Sequence, residues 1–521
     1  MGEPIDEIII SNANQENDSA LEKIQNFTGK YPKQLWYLFF SEMWERFCFY
    51  GMRGMLTVFM VDKVVGLAMD DKVANLQYGA TQAFVYAFTF IGGLFADKIL
   101  GFRKSLFWGG LLMITGSCIL AINPHQFFFI GISFSIIGTG FFKPNISTMV
   151  GSLYKKNDSR RDAGFSLFYS GINIGALLGG YACISIGKGS FMAGVVPENL
   201  RWNVAFGLAA IVMTISLITF VFTKRSLGPI GLSPFANAND GKNRNWYDYT
   251  VYAGSLAIIP VIMIMVAKTE YTDWFMYVVG PAALLYIFYE MTKFSWAEQR
   301  KLLAALVFII FSILFWAFFE QSGGSLSIFA ANNLNNTVLG VTLDPNGVNN
   351  AANSLFVIMF APILGLIWIW MSGKKIEPNT VIKFGLGFLF LALAFYVFYA
   401  TRFFANAKGM TSLDIFTLAY FIITFGELCL SPIGLSIMTK LSPKPLQGVM
   451  MGMWFLASAY GQYAAGILGA GMTSPNENAT LTEKLISYTD GYKQLAVYAL
   501  VAGIVLIIIS PLVKKLMQEV K

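Results

Sequence analysis

The chain has 521 residues, of which 55% are hydrophobic and only 13% charged, and its mean hydropathy is +0.57. A soluble protein of this length carries about a quarter charged residues, so a set of water-soluble domains is excluded and a polytopic membrane protein is indicated. The formal charge of +7 is spread over short loops, without the basic stripe that nucleic acid requires.

One histidine, His125, leaves no basis for histidine-rich metal sites or a Ser-His-Asp triad, so neither an enzyme nor a metal or organic cofactor is expected. The four cysteines (Cys48, Cys118, Cys183, Cys429) are far apart in apolar segments and read as small packing residues, with no disulfide framework. Residues 1–30 are polar and mildly acidic (Glu3, Asp6, Glu7, Glu16, Asp18, Glu22). They lack the basic-then-apolar order of a cleavable signal, which predicts a disordered cytoplasmic tail.

Crossing the hydrocarbon core takes roughly 20 mostly apolar residues, and fourteen segments qualify. Six lie near 34–60, 77–97, 105–122, 126–149, 164–187 and 202–223. A Gly-, Pro- and Asn-rich stretch, 224–248, precedes two closely joined spans near 249–267 and 273–292. Six more lie near 301–330, 350–372, 380–400, 414–439, 446–471 and 493–513. The expected organisation is a tail (1–33), a six-helix bundle (34–223), a linker with a transmembrane hairpin (224–300), a second six-helix bundle (301–515) and a short tail (516–521). Lys and Arg concentrate in alternate loops: Lys98, Arg103 and Lys104; Lys155, Lys156, Arg160 and Arg161; Lys224, Arg225, Lys242 and Arg244; Lys293 and Arg300; Lys514, Lys515 and Lys521. By the positive-inside rule both termini are cytoplasmic, which an even number of spans satisfies. Two six-helix halves around a midplane site are the layout of a transporter built from repeats.

A charge at mid-membrane costs about 2.5–3.5 kcal/mol on insertion scales and marks pathways or proton relays. Span 1 holds Glu42, Glu45, Arg46 and Arg53, spaced i, i+3, i+4 and i+11, so all four share one helical face with Phe49 and Tyr50. That face must line a polar cavity. Lys143 precedes Pro144, a point of easy bending. Glu320 lies in Phe319-Glu320-Gln321 before Gly323 and Gly324, and Glu427 lies in Gly426-Glu427-Leu428; each is a lone carboxylate in an apolar span, of the kind a proton-coupled carrier needs. Trp316 and Trp454, four residues before Glu320 and Ser458, are candidate pocket walls. With both termini inside, spans 1 and 9 run outward and bring Arg53 and Glu320 to similar depth, where each is the other's cheapest partner.

These residues resemble the proton-dependent oligopeptide transporter family of the major facilitator superfamily. The resemblance rests on Glu42-Met43-Trp44-Glu45-Arg46-Phe47 with Tyr50-Gly51, on Gly92-Gly93 through Asp97 to Gly101 and Arg103, and on Phe142-Lys143-Pro144-Asn145. Further on it rests on Phe165 through Asn173 to Gly175, and on Gly426-Glu427-Leu428 with Ser431-Pro432-Ile433-Gly434. It extends in order over about residues 36 to 515 and implies an all-α major facilitator fold and proton-driven import of di- and tripeptides across a bacterial inner membrane. By resemblance, Arg46, Tyr50 and Lys143, with Arg53 nearby, would take the peptide carboxylate. Asn173, Asn353 and Glu427 would take its amine, and Tyr86, Trp316, Trp454 and Ser458 would line side-chain pockets. Glu42, Glu45 and Glu320, with their cations Arg46, Arg53 and Lys143, would couple protonation to gating, and Gly93, Asp97 and Arg103 would belong to the gating loop. The expected partners are peptides and the bilayer, with the chain acting as a monomer and protons as the coupling ion. Two positions depart from the family: Phe49 replaces a common tyrosine, and Asn353-Ser354 stands for Asn-Pro. The alternative is a proton-coupled carrier of nitrate or another small organic anion, for which Glu427 would have no purpose.

Overall fold

The computed structural model describes residues 17–155, 158–235, 245–430, 434–474, 476 and 479–520. The main helices are α1 (Lys33–Val61), α2 (Asp71–Phe95), α3 (Phe102–Ile122), α4 (Pro124–Ser152), α5 (Arg161–Gly187) and α6 (Arg201–Thr223). The hairpin region holds α7 (Asn245–Ala257), α8 (Ile259–Ala267) and α9 (Thr269–Met291). Then come α10 (Trp296–Phe319), α11 (Ser325–Asn333), α12 (Pro345–Gly373), α13 (Thr380–Ala400), α14 (Leu413–Leu430), α15 (Gly434–Leu441), α16 (Gln447–Gly471) and α17 (Leu481–Met517). A ribbon of β1 (Thr337–Val338) and β2 (Val341–Thr342), antiparallel, connects α11 to α12.

Among the described residues, twelve helical stretches are long and apolar enough to cross a membrane. Two of the expected spans fall outside that set for opposite reasons. The 29-residue α1 keeps its charges, and the 25-residue α16 is uncharged but rich in glycine and carries Tyr460, Gln462 and Tyr463. At 1.5 Å per residue both have the length to cross, so the chain is an all-α multi-pass membrane protein compatible with fourteen membrane helices.

Several boundaries differ from expectation. The span expected at 301–330 is broken: α10 ends at Phe319, Glu320–Gly323 form a 3₁₀ turn, and α11 restarts at Ser325. The hairpin's first helix is interrupted at Ile258, two residues before Pro260, whose missing N–H breaks the ladder. The last helix starts twelve residues earlier than 493, because Thr480 and Glu483 close a capping box, Glu483 N donating to Thr480 Oγ1 and Thr480 N to Glu483 Oε2. The 414–439 span is seen as α14 and α15, and Ser431, Pro432 and Ile433 lie outside the described residues. Cys118 is exposed on α3 instead of packed.

The chain divides into two compact units. The first holds residues up to Met52, Ala87–Gly179 and Trp202–Ile264. Its helices meet at glycines, as membrane helices do when backbones must approach closely. A Cβ on Gly175 would lie 2.1 Å from the Met43 carbonyl oxygen, and one on Gly179 would lie 2.1 Å from that of Phe47, so α5 packs directly on α1. Helix α7 is fastened to α3: Trp108 Nε1 donates to Ser255 Oγ at 2.9 Å, and Lys104 pairs with Asp248 at 2.5 Å.

The expected disordered tail is ordered in its described part. Residues 17–25 form a helix, Ile24 packs beside Gly228, and Gln25 Nε2 donates to the Ser152 carbonyl at 3.1 Å. Arg160 donates to the carbonyls of Phe27 and Gly29 at 3.1 and 3.0 Å, with its guanidinium 3.8 Å from the Phe27 ring centroid. Arg160 makes three bonds to Asp158, two from its guanidinium and one from its backbone N–H, and they hold that carboxyl below the ordinary carboxylate range.

The second unit holds Arg53–Tyr86, Gly180–Arg201 and Met265–Lys521. Here α2 meets α16 at Gly79 and Gly466, where a Cβ on Gly79 would lie 2.7 Å from the Gly466 Cα. Helix α9 is held against α16 by Tyr463, whose hydroxyl donates to Asp273 at 2.5 Å, and by Tyr460, which donates to the Met276 carbonyl.

Candidate transport site

In the first unit the charges of α1 form one buried cluster. Glu42, Glu45 and Arg46 are 2%, 0% and 2% exposed. One atom, Arg46 Nε, contacts both carboxylates, Glu42 Oε1 at 3.1 Å and Glu45 Oε2 at 2.5 Å. Glu42 Oε2, Glu45 Oε1 and Arg46 Nη2 have no hydrogen-bond partner among the described residues. Lys143 is the next cation acting on both carboxylates. Its ammonium lies 5.9 Å from the Phe49 ring centroid and the Arg46 guanidinium 5.1 Å from it, so Phe49, a departure from the family tyrosine, serves two cations as a π platform. Tyr50 stands edge-on to Phe49, centroids 5.2 Å apart. Beyond Lys143, α4 continues through Pro144, and Asn145 donates to Ser105 Oγ at 2.7 Å, tying this segment to α3. Asn173, on α5, donates to the carbonyl of Tyr169 in its own helix at 3.0 Å.

The expected gating loop is a π-helical turn, Ala96–Leu100, closed by Gly101 at φ 75°, where a Cβ would lie 2.5 Å from the Leu232 carbonyl group. Arg103 Nε donates to the Ile230 carbonyl at 2.7 Å, and Nη2 to that of Gly228 at 2.5 Å. The arginine therefore binds the segment after α6. Asp97 is exposed, and a Cβ on Gly93 would lie 3.8 Å from the Pro144 ring.

In the second unit Arg53 forms a salt bridge with Glu320, as the positional argument anticipated. Arg53 also donates to Tyr78 Oη at 2.7 Å and to Ser322 Oγ at 3.2 Å. Glu320 sits at the break between α10 and α11, where irregular backbone in a membrane chain needs partners from the protein itself. They are supplied: Thr57 donates to the Gly323 carbonyl, Asn349 Nδ2 donates to the Ser322 carbonyl at 2.7 Å, and Gln321 Nε2 donates to the Ala465 carbonyl at 3.0 Å. Position 323 must be glycine, because a Cβ there would lie 1.9 Å from the Tyr78 hydroxyl oxygen.

Further along the same unit, Glu427 is half-buried on α14 and accepts from Asn353 Nδ2 at 2.8 Å. An ionised carboxylate can only accept, so Asn353 presents its NH₂ to Glu427, and its Oδ1 lies 2.8 Å from Thr424 Oγ1. Ser354 keeps a backbone N–H, and α12 runs unbroken past it. Trp316 packs edge-on to Phe315 and Phe319, centroids 5.5 Å apart in each case. Trp454 packs over Gly434, Ser458 donates back to the Trp454 carbonyl at 3.3 Å, and Tyr86 is half-buried on α2.

The structure thus assembles Glu42, Glu45, Arg46, Tyr50 and Lys143 in one unit. In the other it joins Arg53 to Glu320 and Asn353 to Glu427. Thr57, Tyr78, Ser322, Asn349, Tyr420 and Thr424 join these centres without any charge to draw attention. A readable trace does exist in α12, where Asn346, Asn349, Asn350 and Asn353 repeat at i, i+3, i+4 and i+7 on an otherwise apolar helix.

A family model described as PTR2, POT family, matches residues 103–485. The uncharacterized transporter YclF of Bacillus subtilis is 32% identical over 98% of this chain and 100% of its own. The di-/tripeptide transporter of Lactococcus lactis subsp. cremoris is 32% identical over 95% and 98%. A mutant peptide transporter POT solved in complex with alafosfalin superposes with a TM-score of 0.78 at 31% identity, covering 96% of this chain and 99% of that one. With that agreement over nearly the whole length, the chain belongs to the POT family of transporters.

Proposed function

We propose that this protein imports di- and tripeptides by proton symport, with both termini cytoplasmic in a bacterial inner membrane and one chain as the working unit. The supporting observation is Glu427: a carboxylate on a half-buried residue, held by Asn353 and without an ion pair among the described residues, which suits a peptide ammonium and has no use in an anion carrier. In this reading Arg46 and Lys143, with Tyr50 beside them, take the peptide carboxylate, while Glu42 and Glu45 set how far those cations are free to do so. In this reading the bundles 34–223 and 301–515, linked through 224–300, alternate access. Asn173, Asn353 and Glu427 receive the amine, and Tyr86, Trp316, Trp454 and Ser458 line pockets for side chains. Gly93, Asp97 and Arg103 form the cytoplasmic gating loop.

Protonation of Glu42, Glu45 or Glu320 frees the cation it holds, so proton entry weakens a bridge. Arg53–Glu320 is then an outer gate, shut in this conformation, and its opening is biased by a population shift between states. A proton moving inward gains about 2.3 kcal/mol per 100 mV of membrane potential, enough to bias that shift. Other than protons, no coupling ion or cofactor is required. The test is uptake into proteoliposomes under an imposed inward proton gradient, with a panel of di- and tripeptides, single amino acids and nitrate. Concentrative uptake confined to the peptides is expected; uptake of nitrate in their place would overturn the reading.

A further inference from the structure

A series of polar contacts, joined covalently through Tyr420 and Ser322, runs from Glu427 to the Arg53–Glu320 bridge, all of it inside the second unit. Glu427 accepts from Asn353, and Asn353 accepts from Thr424. The Thr424 hydroxyl also contacts the Tyr420 carbonyl at 2.8 Å, one turn back on α14. The Tyr420 hydroxyl donates to Asn349 Oδ1 at 2.6 Å, and Asn349 Nδ2 donates to the Ser322 carbonyl at 2.7 Å. Ser322 Oγ accepts from Arg53, and the turn that carries Ser322 begins with Glu320.

Two features separate this series from ordinary helix packing. Tyr420 and Asn349 are almost fully buried, 2% and 1% exposed, in surroundings where phenylalanine and leucine would pack without any polar demand. A buried polar network in such a place is high-stakes: satisfied, it specifies one arrangement, and unsatisfied, it is costly. The amide of Asn349 also has only one orientation available. The Ser322 carbonyl, which belongs to the turn that positions Glu320, can only accept, so Asn349 Nδ2 must face it and Oδ1 is left to accept from the Tyr420 hydroxyl.

We propose that Asn349 and Tyr420 are positioning residues that carry the state of Glu427 to the Arg53–Glu320 bridge. The proposal rests on the reading of Glu427 as amine anchor and of Arg53–Glu320 as gate. Tyr420, Thr424 and Glu427 are spaced i, i+4 and i+7, so they share a face over about two turns of one rigid helix. A movement of α14 that brings Glu427 onto a peptide ammonium carries the Tyr420 hydroxyl with it. Asn349 then loses the partner of its amide oxygen and shifts to regain one, its bond to the Ser322 carbonyl is weakened, and the turn holding Glu320 is released. The two asparagines of α12, Asn349 and Asn353, are the fixed rungs against which that movement is registered.

Coupling of this kind is reciprocal and is read as an affinity ratio. Dialanine affinity is measured on the purified full chain with and without Glu320→Gln, in three backgrounds: unaltered, Tyr420→Phe and Asn349→Ala. In the unaltered background Glu320→Gln is expected to change affinity about fivefold or more. In the other two the ratio should fall to within about twofold, while dialanine still binds. Persistence of the full ratio in both backgrounds overturns the relay and leaves the gate standing. A ratio near one in the unaltered background overturns the gate reading and the relay with it. Tyr492→Phe, which removes another buried hydroxyl in the same unit, should leave the ratio intact, and its collapse there would mark a general packing effect that sinks the proposal. Should Asn349→Ala fail to fold, Tyr420→Phe removes a single oxygen and decides alone.

Discussion

Glu427 and Gly175 illustrate two opposite kinds of constraint on a single position. At Glu427 the constraint is chemical: the carboxylate accepts from a neutral amide and has no ion pair among the described residues, as the proposed role of amine anchor requires. Glu427→Gln should weaken binding of a free dipeptide by about 1.5–3 kcal/mol, the worth of a hydrogen bond to a charged group. N-acetylated dipeptides should bind the unaltered protein poorly and be indifferent to the change; equal losses for free and acetylated peptides would remove Glu427 from the site. At Gly175 the constraint is steric, since a methyl group would enter the space of the Met43 carbonyl oxygen. Gly175→Ala should cost about 1–3 kcal/mol of overpacking, seen as a lower thermal unfolding midpoint with no change in peptide specificity. Charged residues of this sort were legible in the sequence because Glu42, Glu45, Arg46, Glu320 and Glu427 interrupt apolar runs. Thr57, Tyr78 and Tyr420 were not, because threonine and tyrosine are common on membrane helices and only their partners make them informative.

Elements show where that legibility stops. Hydropathy located α13 at both ends, since its core is uniformly apolar and Asn379 caps it by accepting from Ile382 N. It ran α10 and α11 together, because the turn at Glu320 contains no proline and its stability comes from side chains distant in sequence. The turn makes Glu320 a separable component. Glu320→Gln should retain peptide counterflow and lose proton-driven accumulation, and Arg53→Ala should impair accumulation likewise; normal accumulation in the glutamine variant would show that no gate depends on this bridge. The docked segment 17–30 offers a pH prediction of a different sort. Asp158 is held below its unfolded value by Arg160, so its contribution is complete above the ordinary carboxylate range, near 3.9, and declines only as pH falls through the depressed folded value. Amide exchange protection of residues 17–30 should therefore be constant from pH 8 to 5, after correction for intrinsic rates. A marked loss of protection within that window would break the link between Asp158 and the docking.

At the scale of the whole molecule, the composition decided the medium and the order of motifs decided the family, because both are properties of the chain summed over its length. The two compact units were not legible. They take α1 and α2 partly into one and partly into the other, and no local pattern of hydropathy marks a division inside a continuous helix. Transport is a property of this scale too. An uncoupler should abolish concentrative uptake of dialanine and spare counterflow, whereas accumulation with both pH gradient and potential collapsed would mean another energy source. The N-terminal helix at residues 17–25 adds a consequence for biosynthesis. It leaves the ribosome before its docking partners, Ser152, Arg160 and Gly228, of which the nearest in sequence, Ser152, follows its contact Gln25 by 127 residues. The Ser152 and Arg160 contacts become possible first and the Gly228 contact only past α6, so on nascent chains of increasing length the segment should become fully protected from protease at Lys23 and Lys30 only beyond residue 228. Its protection would then report completion of the first six helices.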